Sequence, residues 1–305
     1  MLIIFGSPRS GTTLLASTLN KHSRISIQRE SDFLVPAAYL IHRISDEKIG
    51  RVLLQAMIPN TRYFPTSLGQ YLSAEDISGI VERSPYQFAD LAVALYAEKA
   101  RRAGKIIGGD KSPNDLMSIQ ILDRMALLAH PDVRVIHLVR DVRDVMLSLR
   151  MMNWAQPGTE DYFPRIWCNS NLHLQCIMQK HASRYYLLRY EDLVRAPQEQ
   201  LQEICQFLNV EFEPEILDSN DRNIGYEQME DHANLSQPFL SDRAFAWKKK
   251  IDDVLRRQCD EQAGEALRRF NYEFERELDL VIDTPTDENT MMPNHVAPHI
   301  KSAAS

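Results

Sequence analysis

The beginning of the chain carries the pattern that most restricts its fold. A short apolar run, Leu2–Phe5, is followed by the loop Gly6-Ser7-Pro8-Arg9-Ser10-Gly11-Thr12-Thr13 and then by leucines at helical spacing. This order predicts a buried strand, a glycine-bearing turn and an amphipathic helix, and many parallel α/β sheets begin with such a unit. The sequence therefore predicts an α/β protein with a central, mainly parallel sheet.

Three later segments repeat the strand pattern: Lys105–Gly108, Val133–Val139 and Tyr185–Arg189. Each leads into a helix-like stretch, and helical spacing also follows Pro197. Between them, residues 31–102 have a helical pattern broken by prolines, which predicts a helical insertion over the sheet edge. Residues 1–282 are expected to form one domain. The remaining residues, rich in Pro, Thr, Asn, Ser and Ala, are expected to be a disordered tail, 283–305.

Composition narrows the possible partners. The 305 residues carry a net charge of −7, so no global positive field is available to hold nucleic acid or an anionic membrane. The four cysteines are scattered without a CxxC pair, which favours reduced thiols over a disulfide framework or a metal site. The first apolar run is far too short for a signal segment or a membrane span. A cytoplasmic location without a membrane span is expected.

The glycine loop resembles a phosphate-binding loop with one substitution. Gly6 and Gly11 have the spacing of the pattern GxxxxGK[ST], in which backbone amides cradle phosphates and lysine reaches the β- and γ-phosphates. Thr12 occupies the lysine position, and the cation Arg9 lies inside the loop instead. Amides and hydroxyls at a helix N-terminus remain, but the group best suited to a magnesium-bound triphosphate is missing. An ordinary glycine turn is the alternative interpretation.

A second anion-binding pattern follows the run Val133–Val139. It ends at Arg140, and ligand sites gather where the strands of open α/β sheets end. Arginine suits a phosphate dianion because its planar fork makes two hydrogen bonds, and Ser148 can add a donor two helical turns later. A capped, salt-bridged helix start would account for Asp141 and Asp144. It would not account for two phosphate-type patterns at two strand ends.

Together, Gly6–Thr13 and Leu138–Ser148 resemble the paired motifs with which sulfotransferases bind 3′-phosphoadenosine-5′-phosphosulfate (PAPS). The first is similar to the 5′-phosphosulfate loop and the second to the 3′-phosphate motif. Three further matches follow in the family's order: Asp110-Lys111-Ser112-Pro113, Arg189-Tyr190-Glu191-Asp192-Leu193 and Trp247-Lys248. The match spans roughly residues 2–274 and is most similar to the bacterial and tyrosylprotein-type branch. The resemblance implies a P-loop-like three-layer fold.

The resemblance also implies an activity, the transfer of a sulfuryl group from PAPS to an acceptor hydroxyl or amine, with release of 3′-phosphoadenosine-5′-phosphate (PAP). Arg9 and Lys111 would stabilise charge at the sulfuryl group and leaving phosphate without a metal, because this group carries less charge than a γ-phosphoryl group. Tyr190 would contact adenine, and Lys248, with Ser241 or Arg243, would close over the nucleotide. The nucleotide-binding residues implied in this way are Arg9, Ser10, Gly11, Thr12, Thr13, Arg140, Ser148, Tyr190 and Lys248.

The acceptor hydroxyl needs a general base, and the resemblance implies Glu30. The tyrosylprotein branch uses a glutamate downstream of the phosphate loop, and Glu30 follows Arg9 by twenty-one residues. A solvated loop glutamate is the alternative. His22 is the competing base, although its position is more typical of a cation at a helix C-terminus. For His137 and His42 a structural role is expected.

Two other classes of protein remain open. A P-loop kinase or other NTP-dependent phosphotransferase suits the glycine loop but not Thr12, and a nucleotide-binding module without catalysis would need neither Lys111 nor Glu30. The acceptor itself is open among small molecules, glycans, lipids and peptides. The insertion at residues 31–102 is expected to form its pocket. Aromatic residues there suggest an apolar or aromatic component, and they are Tyr39, Tyr63, Phe64, Tyr71, Tyr86 and Phe88.

Overall fold

The computed structural model describes residues 1–27, 30–220, 222 and 235–273. Met1–Phe274 form one compact unit. The predicted disordered tail, residues 283–305, lies outside the described residues. Among those described, no helix combines the length and the apolar character needed to cross a membrane.

The centre of the unit is a five-stranded parallel sheet. Its strands are β1 (Leu2–Phe5), β2 (Ile25–Ile27), β3 (Ile107–Asp110), β4 (Arg134–Val139) and β5 (Tyr185–Arg189). They lie in the order β2-β3-β1-β4-β5, and every neighbouring pair is parallel. The predicted α/β class is therefore confirmed. Because the chain passes from one side of β1 to the other, the crevice at the carboxyl end of β1 is the expected ligand site.

Helices cover both faces of this sheet. They are α1 (Thr12–Asn20), α2 (Leu34–Arg43), α3 (Glu47–Met57), α4 (Ala74–Arg83), α5 (Phe88–Arg102), α6 (Ile119–Arg124), α7 (Val142–Arg150), α8 (Thr159–Met178), α9 (Tyr190–Arg195), α10 (Pro197–Leu208), α11 (Trp247–Lys250) and α12 (Asp253–Arg269). Short 3₁₀ turns lie at Ile58–Asn60, Phe64–Thr66, Leu68–Gln70, Pro113–Ser118, Gln179–Arg184, Pro214–Leu217 and Ser241–Arg243.

Alternation along β1 separates the two faces, because successive strand side chains point to opposite sides. Ile3 and Phe5 enter the core beneath α2, α4 and α5, whereas Leu2 and Ile4 pack with α1, α9 and α10. A third cluster joins α7, α8 and α12. The three-layer arrangement follows directly, with residues 31–102 forming the helices α2 to α5.

Helix α5 approaches β3 unusually closely because Gly108 has no side chain. A Cβ at this position would lie 1.9 Å from the carbonyl oxygen of Tyr96. The helix backbone therefore rests directly on the strand, and larger residues at position 108 would push the two apart. This contact fixes how side chains of α5 meet the carboxyl end of β3.

Candidate active site

A cleft of about 570 Å³ opens at the carboxyl end of the sheet. Its walls are the loop after β1, the segments following β2, β3 and β4, the start of α9, and parts of residues 235–243. Nine residues predicted from sequence line it: Arg9, Gly11, Thr12, Thr13, Glu30, Lys111, Arg140, Ser148 and Tyr190. Two others do not line it, Ser10 and Lys248.

The loop after β1 is shaped by two residues with left-handed backbone. Gly11 has φ +94°, which glycine adopts without strain, and Arg9 has φ 68°, which is costly for a residue with a side chain. This path wraps the loop around the N-terminus of α1, where unpaired amides favour anions. Ser10 braces the loop from inside, since its buried Oγ lies 2.6 Å from Ser7 Oγ.

Arg140 stands at the end of β4 with its guanidinium fixed in orientation. Its terminal nitrogens donate to the carbonyl oxygens of Arg9 (3.0 Å) and Arg243 (3.2 Å), and its guanidinium carbon lies 4.3 Å from the Tyr190 ring centroid. The Nε atom is buried and has no hydrogen-bond acceptor among the described residues. Ser148 accepts a hydrogen bond from Arg9 Nε at 3.0 Å. The two predicted phosphate motifs therefore meet in space.

Lys111 links the phosphate loop to Glu30. Its Nζ atom lies 3.0 Å from Glu30 Oε1 and 3.2 Å from Thr13 Oγ1. The lysine side chain is 1% exposed, whereas that of Glu30 is 28% exposed and can meet an incoming molecule. The cleft thus places a buried cation between the anion-binding loop and an accessible carboxylate.

More carboxyl groups lie behind this pair. Burial, and next the charge of Glu30, raises the pKa of Asp32. Burial, and next the charge of Asp110, raises the pKa of Asp115 well above its usual range. Asp110 itself accepts a hydrogen bond from Tyr96 Oη at 2.5 Å. Because a raised pKa favours the neutral acid, Asp32 and Asp115 add little negative charge, and Glu30 is the carboxylate that pairs directly with Lys111.

The charged residues after Arg140 have structural roles. Asp141 caps α7 by accepting from the backbone of Arg143, and the Arg143 guanidinium pairs with Asp141 (2.8 Å) and Asp260 (3.2 Å). Asp144 accepts from the backbone nitrogen of Trp247 at 2.8 Å. The capped, salt-bridged helix start therefore accounts for these aspartates, while Arg140 alone of this segment's charged residues faces the cleft.

Glu191 holds the strand ends beneath the cleft. It accepts from the backbone nitrogen of Asp141 (3.0 Å) and from Tyr272 Oη (2.9 Å). Burial raises its pKa to about 7. Lys248, a predicted nucleotide-binding residue, does not line the cleft and pairs with Glu273 at 2.5 Å on the surface, whereas Arg243 of the same segment lines the cleft.

The two histidines considered from the sequence that are most buried, His22 and His137, lie away from the cleft. His22 is fully buried outside the cleft, its Nε2 donating to the Glu211 carbonyl (2.8 Å) and its Nδ1 accepting from the Arg24 backbone nitrogen (3.0 Å). His137 lies between Tyr185 and Asn171, and burial lowers its pKa to about 4. Within the described residues no histidine lines the cleft, so Glu30 is the general-base candidate that the geometry favours.

Sequence reasoning missed several lining residues. Arg62, Asn114, Trp154, Leu235, Pro238 and Leu240 face the cleft. They come from connections without a recognisable motif. Asn114 had one available signal, since it directly follows Asp110-Lys111-Ser112-Pro113. Tyr63, in the predicted aromatic set, lines the cleft next to Arg62, whose guanidinium carbon lies 5.1 Å from the tyrosine ring centroid.

A parallel sheet between two layers of helices, with a loop suited to anions, a strand-end arginine and a lysine–glutamate pair in one cleft, is typical of a nucleotide-dependent group transferase. Comparison with known protein families identifies which family of transferases this is. The sequence model of the sulfotransferase family matches residues 2–214. The chain belongs to the sulfotransferase family, and the predicted sulfotransferase class is confirmed.

The curated relatives are distant. Carbohydrate sulfotransferase 4 of Mus musculus is 27% identical over 182 residues, which cover 51% of this chain and 46% of the relative. Carbohydrate sulfotransferase 3 of Homo sapiens is 26% identical over 208 residues, covering 61% of this chain and 43% of the relative. The chain thus spans less than half the length of these relatives.

Solved structures agree on the fold. The sulfotransferase domain of the Synechococcus PCC 7002 olefin synthase has a TM-score of 0.59 and 26% identity, covering 90% of this chain and 95% of that domain. The sulfotransferase domain from the curacin biosynthetic pathway has a TM-score of 0.53 and 23% identity, covering 90% and 98%. The predicted sulfotransferase fold is confirmed.

Proposed function

We propose that this chain transfers a sulfuryl group from PAPS to an acceptor hydroxyl or amine and releases PAP. One observation carries the proposal: a single cleft contains the anion loop, Arg140 and the Lys111–Glu30 pair. A binding module would need only the first two. Family membership favours sulfuryl transfer over the kinase alternative.

The nucleotide occupies the side of the cleft formed by the loop after β1. Loop amides with Thr12 and Thr13 hold the 5′-phosphate, and Arg140 with Ser148 holds the 3′-phosphate. Tyr190, whose ring already stacks on Arg140, contacts adenine. The position of Arg243 in the cleft supports it, rather than Lys248, as the cation of the C-terminal segment.

Glu30 is the general base. The acceptor oxygen forms a bond to sulfur as the bond between sulfur and the bridging phosphate oxygen breaks, and the acceptor proton passes to a Glu30 carboxylate oxygen. Negative charge grows on the bridging oxygen, where Lys111 and Arg9 stabilise it as fixed donors. These cations and amides supply the charge stabilisation without a role for a metal.

The acceptor lies toward Arg62, Tyr63 and Trp154. Two aromatic faces with polar neighbours suit a sugar ring, whose carbon–hydrogen faces are apolar and whose rim is polar. The carbohydrate sulfotransferases among the relatives support the same class. A glycan hydroxyl is therefore the first acceptor we propose, ahead of small-molecule, lipid and peptide hydroxyls. We also propose a cytoplasmic location, which the scattered cysteines favour.

A ligand-stabilisation experiment tests the nucleotide half. PAP and PAPS should raise the melting temperature without magnesium, because a ligand that binds the native state stabilises it by mass action. Magnesium-ATP should raise it much less. Equal stabilisation by magnesium-ATP would instead support the kinase. Transfer of label from ³⁵S-PAPS to a panel of glycans, phenols, lipids and peptides then tests the acceptor half.

A further inference from the structure

A lysine is buried beneath the cleft, and none of the described residues forms an ion pair with it. Lys99, on α5, is 1% exposed, and its Nζ atom lies 3.4 Å from each of two carbonyl oxygens, those of Ser26 and Gly109. No carboxylate within the described residues hydrogen-bonds to it. Burying an amino group in this way costs stability, and burial accordingly lowers its pKa to about 7. A role beyond stability would explain the cost.

The two carbonyls belong to the strands that carry the proposed catalytic pair. Ser26 lies in β2, which leads to Glu30, and Gly109 lies in β3, two residues before Lys111. Lys99 therefore joins the carboxyl ends of both strands from below. The distance between these ends sets where Glu30 stands relative to Lys111.

Tyr96, one helical turn before Lys99, makes a second attachment. Its hydroxyl donates to Asp110 Oδ1 at 2.5 Å, and Asp110 directly precedes Lys111. Lys99 Nζ lies 5.5 Å from the Tyr96 ring centroid, so the two side chains form one unit on α5. The close contact at Gly108 holds this helix face in register with β3.

We infer that Lys99 and Tyr96 are positioning residues that set the separation and orientation of Glu30 and Lys111. The inference rests on the proposed function of that pair. Neither residue lines the cleft, so each acts through the strand ends rather than on a substrate. Misplacing a catalytic group by about 1 Å can cost on the order of a hundredfold in rate.

The test compares Lys99→Met with Lys105→Met. Lys105 also donates to backbone carbonyls of this region, those of Asn20 (2.6 Å) and Ile25 (2.8 Å), but it holds the opposite end of β2. We expect Lys99→Met and Tyr96→Phe each to lower kcat about tenfold to a hundredfold. The Kd for PAP should stay within about twofold. Lys105→Met should leave kcat unchanged.

A second background separates positioning from general loosening. If Lys99 acts through Glu30, adding Lys99→Met to Glu30→Gln should cost little further activity, because residues acting as a unit are not additive. A purely structural lysine would lower the rate by the same factor in both backgrounds. That result, or an unchanged kcat in the single variants, would overturn the inference.

Hydrogen exchange supplies a readout that does not need turnover. Amides at residues 25–27, 30–31 and 109–112 should exchange faster in Lys99→Met than in wild type or Lys105→Met. If exchange at these residues is the same in Lys99→Met as in wild type, the inference is overturned, whatever the kcat of the variant. If wild-type protein binds PAP but transfers no label to any acceptor, the proposed function is contradicted. The exchange result would still show whether Lys99 holds the ends of β2 and β3 in place.

Discussion

The two proposed halves of the cleft, one for the nucleotide and one for the acceptor, are built in different ways. The nucleotide half consists of short motifs that each follow a strand end. Its Arg140 is held by two backbone carbonyls and by stacking on Tyr190. The acceptor half is assembled from single side chains, among them Arg62 and Trp154, contributed by separate connections. Recognition of a constant co-substrate can reside in local motifs. Recognition of the acceptor depends on tertiary placement.

The largest expected effect lies where the halves meet. Glu30→Gln preserves shape but removes the basic oxygen, so kcat should fall by roughly 10²–10⁴, the usual contribution of general-base catalysis. The Kd for PAP should hardly change. Steady-state kinetics with labelled PAPS measure the first quantity and calorimetric titration the second.

His22→Ala is the control for that prediction. Because His22 is buried away from the cleft, its removal should lower the free energy of unfolding and leave most of the activity. If His22→Ala is inactive and Glu30→Gln is active, the general base is a histidine and Glu30 has no catalytic role.

The next effect belongs to the nucleotide half alone. Arg140→Ala should weaken PAPS binding by on the order of 2–5 kcal/mol, as for loss of one partner of a buried charge pair. Adenosine-5′-phosphosulfate lacks the 3′-phosphate, so its affinity should barely change. Equal weakening of both nucleotides would mean that Arg140 supports the fold through its bonds to Arg9 and Arg243 rather than reading a phosphate.

Glu191 joins the strand ends beneath the nucleotide half, and its titration offers a test of that support. Because its pKa is raised in the folded state to about 7, the folded protein holds this proton longer than the unfolded chain. Its stabilising contribution is complete below the ordinary glutamate pKa of 4.5 and is lost as pH rises through 7, a total effect on the order of 3 kcal/mol. Urea unfolding from pH 5 to 8 should show this loss in wild type. Glu191→Gln should lack it, and identical pH profiles would contradict the assignment.

The smallest effect is expected in the acceptor half. Trp154→Ala should raise the acceptor KM about fivefold, because an exposed aromatic contact contributes on the order of 1 kcal/mol. The Kd for PAP should stay constant. Trp154→Phe, which retains a ring, should recover part of the loss. A change in nucleotide affinity instead would show that the two halves are not separable.

The fold was predictable where strand signals were long or bounded clearly. Leu2–Phe5 and Tyr185–Arg189 are strands with the predicted bounds. The second strand, Ile25–Ile27, was missed because three residues are too few for a periodic signal. The third lies two residues later than predicted, since its central glycines, Gly108 and Gly109, are usually read as a turn.

The candidate site divides in the same way. Arg9, Thr13 and Arg140 could be predicted because a strand end followed by a helix fixes their direction locally. Trp154 could not, since only the packed chain brings it to the cleft. The structure does not place Lys248 there, and its predicted nucleotide contact stays a prediction.

Gly11 lies under the ring of Tyr190, where a Cβ would come within 2.6 Å of a ring carbon. This contact restricts which residues can evolve at the two positions. A larger residue at position 11 would strain the backbone at φ +94° as well as meet the ring, so this position is expected to stay glycine wherever position 190 is aromatic. An engineer who transplants the loop into a related scaffold would have to carry the residue at position 190 along with it.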